Sequence, residues 1–335
     1  YVVTSHVGVA PDVTLTIEPG TTLEFNATYS LNVGGQLIAD GTEAQPIRFV
    51  SHDGSAWGRI FFDDPSIDAL ADPDGNYQSG NILRWVVVQG AASGVACNSA
   101  TPYLSQVKTG GGGMICTLGS TGLWLMDSEL TGGVSVSGQT ARVSNSAVQG
   151  DISLSGGMIQ NTSVTNGGIY IGSGQVTSNT LAGGGITVGN GSLVQGNNIE
   201  NAPGWGINSS GMVTVTQNRL VGAASGIRIA AGSIQGNLVA NNAGMGLEVN
   251  GSVNVTDNTF TGSPPGLTVG VRWWGMVRAM HAGSPVAGAD VALAAAGYSP
   301  AHYTTDAQWS REGYKQLQEP VCRVWASPMS VLAVD

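Results

Sequence analysis

A four-residue signature, glycine followed by an apolar, a variable and another apolar residue, returns along this chain about every twenty residues. It reads Gly94-Val95-Ala96-Cys97, Gly113-Met114-Ile115-Cys116, Gly133-Val134-Ser135-Val136 and, with aspartate in the glycine place, Asp151-Ile152-Ser153-Leu154. It continues as Gly168-Ile169-Tyr170-Ile171, Gly185-Ile186-Thr187-Val188, the imperfect Gly206-Ile207-Asn208-Ser209, Gly226-Ile227-Arg228-Ile229, Gly246-Leu247-Glu248-Val249 and Gly266-Leu267-Thr268-Val269. The spacings are 19, 20, 18, 17, 17, 21, 20, 20 and 20 residues. Apolar residues two apart over so short a run mark a strand with one buried face. One such winding cannot bury that face alone. Windings stacked at the inter-strand distance of about 4.8 Å pair every strand with its neighbours and share a continuous core. An apolar period of two, with abundant glycine and β-branched residues, disfavours a helical solenoid.

Asparagine recurs in phase with this signature, at Asn145, Asn161, Asn179, Asn197, Asn218, Asn237 and Asn258, with Asp127 one period earlier. In the later copies apolar residues flank it at fixed places, as in Val176/Leu181 and Val215/Leu220. The earlier copies Val143-Ser144-Asn145 and Ile159-Gln160-Asn161 differ in frame by one residue. Amides at equivalent places in stacked coils bond one to the next, so the series predicts an asparagine ladder.

The expected fold class is therefore all-β: a right-handed parallel β-helix, a single-stranded solenoid, over residues 1–269, followed by a small β module over 270–335. Residues 1–12 are expected to cap one open end, since bare strand edges invite pairing. Residues 63–80 form an acidic insertion between coils. Composition agrees, because 51 glycines and only 10% charged residues suit a fold with many turns, whereas about 25% charge is usual. A net charge of −10 argues against nucleic acid and anionic membranes as partners. No apolar run reaches the roughly 18 residues of a membrane helix. The chain starts at Tyr1 without methionine, which fits a removed secretory signal and an extracellular or cell-surface location.

The opening coils repeat the style. They include Val13-Thr14-Leu15-Thr16-Ile17-Glu18-Pro19-Gly20-Thr21-Thr22-Leu23-Glu24-Phe25, Pro46-Ile47-Arg48-Phe49, Trp57-Gly58-Arg59-Ile60 and Ile82-Leu83-Arg84-Trp85-Val86-Val87-Val88. Residues 10–268 resemble secreted bacterial right-handed parallel β-helix repeat proteins of the pectate-lyase-like group. That resemblance implies the fold, whereas activities within the group range from lyases and hydrolases to adhesins. Beyond the repeat, Gly283-Ser284-Pro285-Val286-Ala287-Gly288-Ala289-Asp290-Val291-Ala292-Leu293 and Tyr303-Thr304-Thr305-Asp306-Ala307 resemble the first half of a carboxypeptidase-regulatory-like β-sandwich. The likeness stops at Trp309, and a strand is expected near Ser330–Val334.

Several residues are candidates for chemistry. Cys97 and Cys116 hold the same inward place in adjacent coils, as a disulfide or as a buried thiol pair; Cys322 is left over. The outward middle residues of the signature form a row containing Tyr170, Asn208, Arg228 and Glu248. These can hydrogen-bond and stack on a sugar chain, or face solvent as a simple ion-paired surface. Oxygen ligands at Asp72, Asp74 and Asn76, before and after a glycine turn, suit calcium, although the closing glutamate of a full calcium loop is missing. Glycoside hydrolysis usually needs two carboxyl groups about 5–10 Å apart. Between Gly132 and Asp257 the acids are Asp151, Glu200, Glu248 and Asp257, and these fall at different places around the coil. The leading expectation is a structural or adhesive surface protein that self-associates end to end, its C-terminal strand Val331-Leu332-Ala333-Val334 contributing to the contact. A polysaccharide-active lyase or hydrolase, or a carbohydrate-binding protein, is the alternative.

Overall fold

The computed structural model describes residues 1–118, 122–249 and 253–262. It also describes the backbone of strands Val269–Val271, Met280–His281, Ser284–Pro285, Asp290–Leu293, Ala301–Thr304 and Leu332–Ala333. The described chain is all strand and turn, wound as a parallel β-solenoid of about 13 turns. Thirteen strands form one parallel sheet, here called sheet I, running from Val7–Val9 through Ile169–Ile171 to Val269–Val271. At strand spacing it is about 58 Å long. The rest of each coil belongs to a 23-stranded sheet, sheet II, folded along a corner into two flanks.

The register is set by burial. Val134, Ile152, Ile169, Ile186, Ile207, Ile227 and Leu247 pair in sequence along sheet I, and all are buried. A one-residue slip would turn this column to solvent, so the pattern admits one register. Near the N-terminal end the coils are wider and aromatic: Trp57 is fully buried, stacks on Phe25 at 4.3 Å and donates Nε1–H to the Gln89 carbonyl.

Residues 1–12, expected as a cap, instead include Val2–Val3 and Val7–Val9, which pair in parallel with Glu24–Phe25 and Leu31–Val33. They are the first winding itself. At the other end the last copy is offset: Glu248 pairs with Gly270 rather than with Thr268. Beyond it, Asp290–Leu293 lies antiparallel between Ala301–Thr304 and Leu332–Ala333. Met280–His281 and Ser284–Pro285 pair antiparallel, and the remainder of the segment expected to be a β-sandwich, with Cys322, lies outside the described residues.

The acidic insertion is more than a loop. Leu70–Ala71 and Tyr77–Ser79 form an antiparallel hairpin over the outer face of sheet II. There Ala69, Ile82 and Tyr103 make a second apolar cluster with Ile38, Tyr77 and Trp124 packed against it. Hydroxyl donations from Tyr103 to the Gly75 carbonyl and from Tyr77 to the Gly80 carbonyl close it at 2.8 and 2.7 Å. Beside it Arg84 clasps Asp40 through Nε and Nη2.

The corner of sheet II explains the asparagine series. One residue per coil takes a left-handed conformation there, including Asp127, Asn145, Asn161, Ser178 and Gln217, with φ between 49° and 57°. The next residue points inward, giving Ser128, Ser146, Thr162, Asn179, Asn197, Asn218, Asn237 and Asn258. From Asn179 onward these are amides: the Asn179 Oδ1 accepts the Thr162 backbone N–H, and from Asn197 on each Oδ1 accepts both the backbone N–H and the Nδ2–H of the preceding rung, at 2.8–3.0 Å. Asn145 and Asn161 are not rungs. They are the exposed left-handed corner residues one place earlier, linked to each other by Nδ2–H of Asn161 and Oδ1 of Asn145 at 3.3 Å. The inward place in those coils belongs to Ser146 and Thr162, whose hydroxyls return to the carbonyls of Ser144 and Gln160.

Candidate functional site

The strands of sheet I turn one residue per coil to solvent, and the ladder pairs these residues directly. Ser135, Ser153, Tyr170, Thr187, Asn208, Arg228 and Glu248 stand in one file, about 4.8 Å apart. The four sequence-derived candidates are thus on one face, with Thr187 between Tyr170 and Asn208. Tyr170 is 46% exposed. Arg228 is held from two sides: its Nε donates to Asn208 Oδ1 at 2.8 Å, and its guanidinium carbon lies 5.2 Å from the Trp205 ring centre, within cation–π range. Both contacts reach back one coil, so the arginine is oriented by a rigid sheet rather than left to swing free.

Trp205 is the residue of this group that the repeat does not reveal. It opens the strand Trp205–Asn208, in the coil where glycine spacing stretches to 21 residues. An aromatic residue immediately before a signature glycine is its one sequence mark. The resulting patch offers two aromatic faces, hydroxyls, an amide and an oriented guanidinium. Such a set binds polyols by stacking and hydrogen bonding.

The acids do not converge. Asp151 sits in the glycine turn, where its Oδ1 accepts the Gly168 N–H at 2.8 Å. Glu200 is on the outer face of sheet II, bonded to Asn198 and Arg219. The Asn198 amide first, then Arg219, hold its carboxyl below the ordinary glutamate value. Asp257 is a left-handed corner residue, and Glu248 belongs to the sheet I file. His6 packs edge-on to Tyr29 and His52 pairs with Glu24 at 2.7 Å.

The calcium candidates serve the hairpin turn. Asp72 accepts the Asn76 backbone N–H at 2.8 Å and its Nδ2–H at 3.0 Å. These bonds, side chain first, lower the Asp72 carboxyl from its ordinary value. Asp74 follows in the same turn, which the Gly75 N–H closes on the Asp72 carbonyl. Among the described residues no three acids, cysteines or histidines are grouped as a metal site. Cys97 and Cys116, paired in register in sheet I, are joined as a disulfide.

No family model matches this chain, and no curated protein matches it. Among solved structures, the crystal structure of an alginate lyase from Paenibacillus sp. str. FPU-7 is similar. It aligns over 80% of this chain and 98% of that one, with 11% identity and a TM-score of 0.32. A likeness of that degree carries no argument about activity.

Proposed function

We propose that this chain is an extracellular or cell-surface rod that adheres to polysaccharide along the outer face of sheet I. The observation that carries the reading is the in-register file from Tyr170 to Glu248, with Arg228 oriented by Asn208 and Trp205. A long rigid sheet with one polar group every coil matches an extended polymer better than a small compact ligand. A neutral glycan suits it better than a polyuronate, because the net charge of −10 repels a polyanion at long range. Adhesion suits it better than cleavage, since Asp151, Glu200, Glu248 and Asp257 stand on separate parts of the coil, where glycoside hydrolysis calls for paired carboxyls. With the Asp72 carboxylate bonded to Asn76, the reading does not call on calcium.

The test is affinity electrophoresis and sedimentation against neutral polysaccharides, glucans, mannans and chitin, beside alginate and pectate. Retardation by a neutral glycan, weakened roughly fivefold by Tyr170→Ala and again by Trp205→Ala, is the expected result, each ring contributing about 1 kcal/mol. Release of oligosaccharides, with or without calcium, would replace adhesion by turnover. The rod reading also includes end-to-end self-association. Leu332–Ala333 lies at the edge of its described sheet, and an edge strand pairs readily with another chain. Light scattering and electron microscopy showing monomers alone at high concentration would remove that part.

A further inference from the structure

The file of outward residues on sheet I begins far from Tyr170, at Gly8, Asn32 and Phe61, which pair in register in the first three coils. A depression of about 330 Å³ lies there, floored by Gly8, Ala10 and Gly34 and walled by Asn32, Phe61 and Asp63. Pro65 and Pro11 flank its floor, each within 3.7 Å of where a side chain on Gly34 would begin. The walls are braced. The Arg59 guanidinium packs on the Phe61 ring at 4.3 Å. Asp63 Oδ1 accepts from Asn98 Nδ2 at 2.9 Å and from the Asp64 N–H at 3.1 Å. Its Oδ2 has no protein partner among the described residues.

This chemistry is that of a sugar-ring site. An aromatic wall takes the C–H face of a pyranose. A fixed carboxylate oxygen accepts from a hydroxyl, and an amide both donates and accepts. The bare glycine floor lets the ring approach the backbone. The volume lies at the lower end of ligand pockets, so it suits one ring rather than a chain. Five coils separate Phe61 from Tyr170, about 24 Å along the same face.

We propose that this depression is a second sugar site that takes a single neutral pyranose, a chain end or a side branch. It rests on the adhesion reading in that both sites would serve one class of glycan. Two sites on one rigid face raise avidity through effective concentration.

Gly8 provides the test, because a Cβ built there meets no atom within 4 Å. Gly8→Trp therefore starts its side chain in open space and directs the indole into the depression. Saturation-transfer NMR would be run with the methyl glycosides of glucose, galactose, mannose and N-acetylglucosamine. We expect transfer from at least one of them in the unmodified protein and in the Tyr170→Ala/Trp205→Ala variant. In Gly8→Trp, with the far-UV spectrum unchanged, it falls more than tenfold. If Gly8→Trp loses the β spectrum, the isosteric change Asp63→Asn at a half-buried position must lower the transfer by itself. No transfer from any of the four sugars overturns the proposal. Transfer that survives Gly8→Trp but vanishes in Tyr170→Ala/Trp205→Ala also overturns it, while leaving adhesion at the Tyr170 file standing.

Discussion

Replacing Asn218 by alanine removes one rung of the buried amide ladder, and the structure allows the cost to be worked out. Asn218 is 2% exposed. Its Oδ1 accepts the Asn197 backbone N–H at 3.0 Å and Asn197 Nδ2–H at 2.9 Å, and its Nδ2 donates to the carbonyls of Val194 and Thr216 and to Asn237 Oδ1. After the change the Asn197 backbone N–H has no acceptor, in a place closed to water. An orphaned buried donor costs about 1–3 kcal/mol, each further lost bond about 1 kcal/mol, and the small void adds to both. The Asn197 amide keeps two carbonyl partners, so the total should be about 3–5 kcal/mol. Solenoid coils interact chiefly with their neighbours, so the assay is native-state amide exchange at Asn197, Asn218 and the flanking strands. Exchange should quicken by between roughly one hundred and several thousand times, at about 1.4 kcal/mol per factor of ten. Asn161→Ala is the control, since Asn161 is an exposed left-handed corner; alanine there costs about 1–2 kcal/mol of backbone preference. If Asn218→Ala quickens exchange less than tenfold, or no more than Asn161→Ala does, the ladder is not the stabilising element described.

Gly226→Ala places a Cβ 2.0 Å from the Gly246 carbonyl oxygen and 2.6 Å from Val239 Cγ1. Overpacking against backbone should cost about 3 kcal/mol, read as a lower urea midpoint, and an unchanged midpoint would contradict the stacking of these turns. Breaking the disulfide by Cys97→Ser with Cys116→Ser frees a link across 19 residues. That is worth about 3 kcal/mol in the chain-entropy account, and equal guanidinium midpoints with and without reductant would refute it. Glu200 should titrate below the ordinary glutamate value, because Asn198 and then Arg219 favour its charged form. A lowered carboxyl adds stability above its unfolded pKa and loses it as pH falls through the folded value. NMR titration of the Glu200 carboxyl checks this. Asn198→Ala should raise the midpoint, and a native midpoint at or above the ordinary value would refute the assignment.

The solenoid was legible because its inward residues answer to one constraint repeated in every coil. From Val134 to Leu247 each place must be apolar, near one size and two residues from its partner, so the sequence writes the same letters each winding. The corner was harder to read. A left-handed residue and a buried amide stand next to each other, and asparagine is favoured in both places for different reasons, positive φ in one and amide stacking in the other. Where a hydroxyl takes the inward place, as at Ser146 and Thr162, the neighbouring asparagine keeps the rhythm while changing its job. The last copy was misread because counting on from Gly266 sets Thr268 opposite Glu248, whereas Val269-Gly270-Val271 alternates in the same way two residues later and the ladder sets Gly270 there instead.

Outward residues answer to no such constraint, and this is why the proposed function is argued from them. The solenoid tolerates serine, tyrosine, threonine or arginine equally at the exposed place of a sheet I strand, so a departure from small polar residues there has to be explained by what the face touches. Tyr170 and Arg228 were visible as departures because they fall in regular coils. Phe61 and Trp205 were not, since each lies where the coil length changes and the outward place cannot be counted from its neighbours. Phe61 nonetheless stands between the buried Ile60 and Phe62, so alternation alone turns it outward. A half-exposed ring between two core residues removes little apolar area from water on folding, so serine would fill the place at small cost to stability. If that position serves a sugar, Phe61→Ser should leave the urea midpoint unchanged or raised while abolishing glycoside binding. A lowered midpoint with binding intact would show that the ring is there for packing under Arg59.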